Sequence, residues 1–193
     1  MDKTFIKAYC LTSVNEGGYA NNSLDKGRET FRGISRRFHP DWEGWKLIDE
    51  AKERHNNLRS EKDFKEFINE IESCPRLSGM TKGFYYINYF LNAGLQLIKD
   101  EETACLLYDI GVNSGIKHAG KLLQSALYFL GSDIKIDGDI GSITSGEYQK
   151  AKVKDKRVIV DLIRSLQKAF YVKITLNDPS QKAFARGWYA RVK

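Results

Sequence analysis

The 193-residue sequence contains few cysteines, histidines and prolines, three of each. The scarcity of cysteine and histidine excludes several kinds of site. Three widely spaced cysteines without a CxxC pair form neither a disulfide framework nor a zinc motif. The scattered histidines provide neither a metal site nor a cysteine–histidine nucleophile pair. We therefore expect no metal and no cofactor, and we expect Cys10, Cys74 and Cys105 to be buried structural thiols.

Long apolar runs are also missing. No stretch approaches the roughly 18 apolar residues of a membrane span, and the N-terminus lacks the apolar region of a secretory signal peptide. We expect a chain made in the cytoplasm, so that any export uses a holin-type or other route that needs no signal peptide. The net charge of +6 favours an anionic partner, and nucleic acid, a membrane surface and bacterial cell wall all remain eligible on charge alone.

Apolar residues recur at helical spacing along most of the chain. The first helix carries Phe5 and Thr12 and ends at Gly17-Gly18, and a single buried core helix is expected from Phe84 to Ile98. Ser60 followed by Asp63 predicts a helix start. Further helices are expected around Trp45–Ala51, Phe64–Ile71, Thr103–Val112, Ile116–Leu130, a short segment capped by Thr144, Val158–Phe170 and the residues that follow Asp178-Pro179.

Residues 23–35 are polar and punctuated by glycine, which predicts one small β-hairpin. The predicted fold class is therefore mainly α, a many-helix bundle with a single small β element.

The first predicted helix leads into an unusual sequence, Glu16-Gly17-Gly18-Tyr19. Glu16 falls at the C-terminal end of the helix, where the helix dipole disfavours a carboxylate. The two glycines leave space beside the carboxyl group, and Tyr19 can partly shield it from water. These features are expected to raise the pKa of Glu16, as a general acid working near neutral pH requires. The alternative is an ordinary helix end with an exposed glutamate.

Asp25 and Thr30 follow Glu16 across the predicted hairpin. If the hairpin folds back on the helix end, both side chains face Glu16 across a cleft. Two such carboxylates are the minimum apparatus for glycoside hydrolysis. Glu16 would protonate the leaving oxygen, Asp25 would stabilise the oxocarbenium-like charge or orient a water, and Thr30 would help to hold that water. Ordinary turn chemistry is the alternative reading of Asp25 and Thr30.

This pattern resembles the signature of glycoside hydrolase family 108, which includes phage endolysins and bacterial proteins once called secretion activators. The matching residues are Glu16-Gly17-Gly18-Tyr19, Asn21, Asp25, Gly27, Thr30 and Gly33-Ile34. Members are taken to be N-acetylmuramidases, so the resemblance implies a lysozyme-type enzyme with Glu16 as the catalytic residue. The order Glu, Asp, Thr is similar to the trio of phage-type lysozymes, which implies a lysozyme-like fold.

The second half resembles the peptidoglycan-binding domain that usually follows this catalytic domain. The matching residues are Asp109, Val112-Asn113, Gly115, Leu123-Gln124, Asp137-Gly138, Gly141, Thr144, Gly187-Trp188 and Arg191. We expect a catalytic lobe in residues 1–95 and a peptidoglycan-binding helical lobe in residues 96–193, packed into one globular, monomeric unit.

The chain departs from the family pattern at two places. Gly27-Arg28 replaces the usual glycine pair, and Asn22-Ser23 replaces an asparagine–proline. Arg28 could narrow the cleft or contact a substrate carboxylate or carbonyl. The residues expected to act chemically are all present.

Four further residues are expected to bind substrate. Tyr19 and Asn21 belong to the signature, and Asn113 lies in a glycine-containing helix junction, where it is either a substrate contact or a helix cap. Tyr85 belongs to a tyrosine- and asparagine-rich stretch that could line a sugar-binding groove. Core packing is the alternative for most of these tyrosines.

The sequence is compatible with two functions. The first is a hydrolase that cleaves the β-1,4 bond between N-acetylmuramic acid and N-acetylglucosamine of peptidoglycan at the cell wall. The alternative is a non-catalytic peptidoglycan-binding or secretion-assisting protein. Nucleic-acid binding ranks last, because the basic residues alternate with acidic ones and known nucleic-acid motifs are absent.

Overall fold

A computed structural model of the protein describes residues 1–13, 17–21 and 28–192. They form two compact units. The N-terminal unit is Tyr9–Ile87, and the C-terminal unit combines Met1–Ala8 with Asn88–Lys193. Helix α1 (Lys3–Ser13) contributes residues to both units.

The N-terminal unit contains a small sheet and three further α-helices. Its strands are β1 (Tyr19–Asn21), β2 (Glu29–Phe31) and β3 (Ile34–Ser35), and its helices are α2 (Gly44–Arg54), α3 (Glu61–Ser73) and α4 (Pro75–Tyr85). The sheet is antiparallel in the order β1-β2-β3. Residues 23–35 were expected to form a hairpin; β2 and β3 lie in that range, whereas β1 begins earlier and adds a third strand.

Local sequence signals explain two of the helix starts. The Ser60 side chain accepts a hydrogen bond from the Asp63 backbone N–H while the Asp63 carboxylate accepts one from the Ser60 N–H, which confirms the predicted capping box. Pro75 ends one helix and begins the next, since proline at the first helical position lacks only an N–H that would be unpaired there. In α2 the predicted apolar stripe of Trp45, Ile48 and Ala51 is buried.

The prediction of one core helix over Phe84–Ile98 is wrong. Helix α4 ends at Tyr85, a π-helical segment covers Tyr86–Leu91, and a 3-10 turn covers Leu95–Leu97. Gly94 interrupts the helix with a φ of +73°, and a Cβ there would lie 2.0 Å from the Ile140 carbonyl oxygen. The apolar residues of this stretch correctly predicted that it is buried. They gave no sign that the backbone at Gly94 approaches Ile140 so closely that only glycine fits there.

The C-terminal unit is built on long helices. They are α5 (Glu101–Ser114), α6 (Ile116–Phe129), α7 (Ser142–Asn177) and α8 (Lys182–Arg191). Its core includes Phe5, whose ring packs edge-on against Phe90 and Tyr108 at centroid distances of 5.6 and 5.9 Å. The predicted junction between α5 and α6 at Gly115 is confirmed. The mainly-α class with one small β element is confirmed as well.

Helix α7 consists of two helical stretches that meet at a kink at Asp155, where φ is −123° and ψ is 20°, and this agrees with the two helices predicted there. Thr144 does not cap it: this side chain is buried and donates a hydrogen bond to the Asp139 carbonyl oxygen. Among the cysteines, Cys10 is exposed and Cys74 and Cys105 are half-buried, so the expectation of fully buried thiols is wrong.

Candidate active site

Two of the three predicted catalytic residues, Glu16 and Asp25, lie outside the described residues, which omit 14–16 and 22–27. The third, Thr30, lies at the centre of β2. Tyr19 and Asn21 lie at the two ends of β1. Tyr19, Asn21 and Thr30 therefore all belong to the same small sheet.

The strand register separates the sheet into two faces. Thr30 lies beside Ala20 on β1 and Ser35 on β3, whereas Tyr19 lies beside Phe31. Because side chains alternate along a strand, Thr30 is on the face opposite to Tyr19 and Phe31. Thr30 is half-buried, and the small side chain of Ala20 is exposed. The Thr30 face thus carries only small and hydroxylated side chains.

The Tyr19 face packs against helix α3. The Tyr19 ring meets Phe67 edge-on at 4.9 Å, and its hydroxyl donates a hydrogen bond to Glu29 at 3.1 Å. Burial, and then the neighbouring Glu29 charge, raise the pKa of Tyr19 far above its ordinary value. Tyr19 is therefore held by the protein itself. Asn21 is exposed at the end of its strand, and its side chain also interacts with Tyr19.

Glu29 precedes Thr30 in β2, and its carboxylate forms ion pairs with two cationic side chains. Lys52 lies 2.5 Å and Arg36 lies 3.1 Å from its two oxygens, and the side chain is only 12% exposed. Both cations also pair with Asp49. A carboxylate engaged by two cations and a phenol is not free to donate a proton to a substrate. Glu29 is therefore a structural residue of the sheet.

Tyr85 is 5% exposed and packs against Tyr9 at a ring distance of 5.8 Å. Its hydroxyl donates a hydrogen bond of 2.8 Å to the Arg32 carbonyl oxygen in the β2–β3 turn. The side chain that was expected to bind substrate thus supports the sheet, in the same unit as Thr30.

Asn113 belongs to the other unit, where it joins two helices. Its amide donates hydrogen bonds to the Tyr171 hydroxyl at 2.6 Å and to Ser114 Oγ at 3.4 Å. Gln167 donates to the same Ser114 hydroxyl and pairs with His118. These contacts link α5, α6 and α7, which is a structural use of Asn113.

Four other signature residues of the second half form a second network around a buried glutamine; they are Gln124, Asp137, Gly138 and Thr144. The Gln124 amide nitrogen donates to Asp137 at 2.9 Å, to the Asp139 carbonyl at 3.0 Å and to Thr144 at 3.2 Å. Its oxygen accepts from the Gly138 N–H at 2.7 Å. One buried side chain therefore fixes the whole 137–144 connection. A sequence pattern marks these residues, whereas only the structure assigns them this role.

Two other signature residues, Asp109 and Arg191, form an ion pair at 3.0 Å. Trp188 stacks on Tyr171 at 5.3 Å. Both contacts attach the last helix to the rest of the C-terminal unit. Within residues 1–13, 17–21 and 28–192, no group of three or more potential metal ligands is found.

A family model described as Glycosyl hydrolase 108 matches residues 11–115, more than half of the chain. The chain belongs to this family. A second model, Predicted Peptidoglycan domain, matches residues 118–193. Together the two matches identify a glycoside hydrolase with a peptidoglycan-binding domain, and they support peptidoglycan hydrolysis as its activity. The expected boundary between residues 95 and 96 stays a prediction.

A solved structure titled "Structure of Brucella abortus SagA" is similar to this chain, with 23% identity and a TM-score of 0.62. The alignment covers 98% of this chain and 89% of the other. At this identity the likeness concerns the fold, which agrees with the lysozyme-like, mainly-α prediction. No curated protein matches the chain. In the described part of the chain, no helix combines the length and apolar character needed to cross a membrane.

Proposed function

We propose that this peptidoglycan hydrolase is an N-acetylmuramidase that cleaves the β-1,4 bond between N-acetylmuramic acid and N-acetylglucosamine, with Glu16 as general acid. The observation that carries the proposal is the family match over residues 11–115, which includes the Glu16-Gly17-Gly18-Tyr19 sequence. Cleavage of this bond needs a proton on the leaving oxygen, because an alkoxide leaves poorly.

Two features near the signature support Glu16 as the acid. Glu29, the glutamate of β2, is paired with Lys52 and Arg36 and is therefore unsuited to the role. A Cβ built on Gly17, the residue after Glu16, would meet nothing within 4 Å. This space at Gly17, among the described residues, is compatible with a long polysaccharide substrate.

In the proposed reaction, Glu16 donates its proton to the glycosidic oxygen as the bond to the anomeric carbon breaks. Asp25 stabilises the positive charge that develops on the sugar ring or orients the attacking water. Thr30 helps to hold that water, and its hydroxyl lies on the sheet face opposite to the packed Tyr19 ring. Of the four residues expected to bind substrate, Asn21 is exposed and is assigned direct contact with the glycan. Tyr19, Tyr85 and Asn113 are assigned supporting roles through their protein partners.

Mass analysis of digested peptidoglycan tests the proposed bond. Purified sacculi are incubated with the protein, and the soluble products are reduced with borohydride, which marks the newly formed reducing end. We expect reduced N-acetylmuramic acid ends. Reduced N-acetylglucosamine ends would show a different glycosidic bond, and sedimentation with sacculi without soluble products would support the non-catalytic alternative.

A further inference from the structure

The two-residue turn between β2 and β3 contains an arginine in a strained conformation. Arg32 has a φ of +45° and Gly33 a φ of +80°. Tight hairpin turns of this kind favour asparagine, aspartate or glycine at the first position, because a larger side chain is disfavoured at positive φ. The sequence nevertheless carries arginine there.

Arg32 joins three segments of the N-terminal unit. Its backbone N–H donates to the Gly18 carbonyl oxygen at 3.0 Å, and its carbonyl accepts from the Tyr85 hydroxyl at 2.8 Å. Its guanidinium donates to the Glu72 carboxylate at 2.6 Å and to the Glu72 carbonyl at 3.3 Å. The turn is thereby attached to the segment before β1 and to the ends of α3 and α4.

Glu72 also contacts the segment before β1. A Cβ built on Gly18 would lie 2.8 Å from Glu72 Oε1, so this oxygen occupies the space that a side chain at residue 18 would need. Its other oxygen, Oε2, binds Arg32. The carboxylate therefore lies between Gly18 and the arginine. Gly18 is two residues after Glu16 in the sequence.

We propose that Arg32 and Glu72 are positioning residues of the hydrolase: their ion pair holds the Gly17-Gly18 segment, which directly follows the proposed acid Glu16 in the sequence, beside the sheet that carries Thr30. The inference rests on the proposed function. It assigns neither residue a contact with the substrate.

Stability alone does not account for this arrangement. Glycine would adopt the backbone of residue 32 without strain, and an ion pair whose two side chains are 28% and 33% exposed contributes little to folding. Strained residues that neighbouring contacts hold in place are typical of functional sites. The pair is better explained by the geometry that it imposes.

The first test is Arg32→Gly, which relieves the backbone strain and removes the ion pair together. We expect a melting temperature within about 3 °C of the wild type, because the two effects on folding oppose each other. On soluble glycan strands we expect kcat to fall at least about tenfold while KM changes less than about twofold, since a small misplacement of a catalytic group slows the chemical step. Arg32→Lys, which keeps the cation, should retain more activity than Arg32→Gln.

Two matched controls belong to the same unit. Asn57→Gly makes the same kind of glycine substitution at another non-glycine residue with positive φ, +53°, away from the turn. Arg54→Gln breaks another arginine–glutamate pair, Arg54 with Glu70. Both should retain the wild-type kcat. Wild-type kcat in Arg32→Gly, or loss of activity only in proportion to lost folded protein, would overturn the proposal.

Glu72→Gln gives an independent check if Arg32→Gly folds poorly. Because the two residues act as one unit, Arg32→Gln, Glu72→Gln and the double variant should lower kcat by a similar factor. Factors that multiply in the double variant would contradict a shared role. Amide hydrogen exchange across residues 17–21 and 28–35 should be faster in Glu72→Gln than in the wild type, whether or not the protein is active.

The exchange measurement separates the two ideas. A wild-type protein that releases no glycan products would remove the proposed function, and unchanged exchange in Glu72→Gln would remove the positioning role. An active wild type whose Arg32→Gly variant is equally active would remove only the positioning role.

Discussion

The Tyr19 hydroxyl donates a hydrogen bond to the Glu29 carboxylate, 3.1 Å away, across the paired strands β1 and β2. This bond places Glu29 on the packed face of the sheet, where Lys52 and Arg36 also reach it. The neighbouring Thr30 points to the other face. Two adjacent residues of one strand therefore have different roles, one in holding the sheet and one in the proposed chemistry.

Glu29→Gln should destabilise the protein. The substitution removes the charge that Lys52 and Arg36 share and leaves Asp49 as the one carboxylate that still pairs with both cations among the described residues. Hydrogen bonds to charged groups contribute about 1.5–3 kcal/mol each when one partner is removed, so we expect a loss in this range by urea unfolding. Glu43→Gln, which breaks an exposed pair with Lys46, should change stability by less than about 0.5 kcal/mol. Equal effects of the two substitutions would contradict the role given to Glu29.

Asp100 should make part of the stability depend on pH. Burial would raise the pKa of Asp100, but hydrogen bonds from Lys156 and Thr103 outweigh it and lower that pKa. A carboxyl whose pKa is lower in the folded state stabilises the protein above its unfolded pKa, about 4, and loses this contribution as the pH falls. Asp100→Asn keeps a good helix cap and loses the charge.

We therefore expect Asp100→Asn to be less stable than the wild type at pH 7, with the difference shrinking as the pH falls below about 4. Urea unfolding at several pH values measures it. Asp133→Asn, at an exposed position, is the control. A difference that stays constant down to pH 2 would show that the Asp100 charge is not its source.

Two helical glycines should respond oppositely to alanine. A Cβ on Gly120 would lie 2.1 Å from the Gly138 carbonyl oxygen, whereas a Cβ on Gly146 would meet nothing within 4 Å. We expect Gly120→Ala to cost about 1–3 kcal/mol through overpacking against backbone. Gly146→Ala should stabilise α7 by about 0.5–1 kcal/mol, because alanine loses less entropy in a helix. Thermal unfolding measures both changes, and a Gly120→Ala variant as stable as the wild type would contradict the close approach to Gly138.

Features that depend on neighbouring residues could be predicted from the sequence. The capping box of Ser60 and Asp63 spans three residues, and the buried stripe of α2 has helical spacing. The π-helical segment at Tyr86–Leu91 carries no local signal, because its apolar residues fit an ordinary helix equally well.

The long-range contacts within each of the two units were beyond prediction for a different reason. Arg32 and Glu72 are 40 residues apart, and Gln124 and Gly138 are 14 apart. No periodicity links such pairs. The family resemblance marks Gln124 and Gly138 as signature residues without stating their partners, and neither Arg32 nor Glu72 belongs to the signature. Of these two residues, only Arg32 is unusual in the sequence itself. It precedes a glycine in a tight turn, at a position where asparagine or aspartate is usual.

The central claim is that Glu16 supplies the proton for glycosidic cleavage. The most direct test compares the release of reducing ends from peptidoglycan by the wild type and by Glu16→Gln, with Glu43→Gln as the carboxylate control. Loss of a general acid lowers a rate by about 10²–10⁴-fold, so we expect at least a hundredfold loss in Glu16→Gln, with unchanged binding to sacculi and an unchanged melting temperature. A Glu16→Gln variant that releases reducing ends at the wild-type rate would contradict the account.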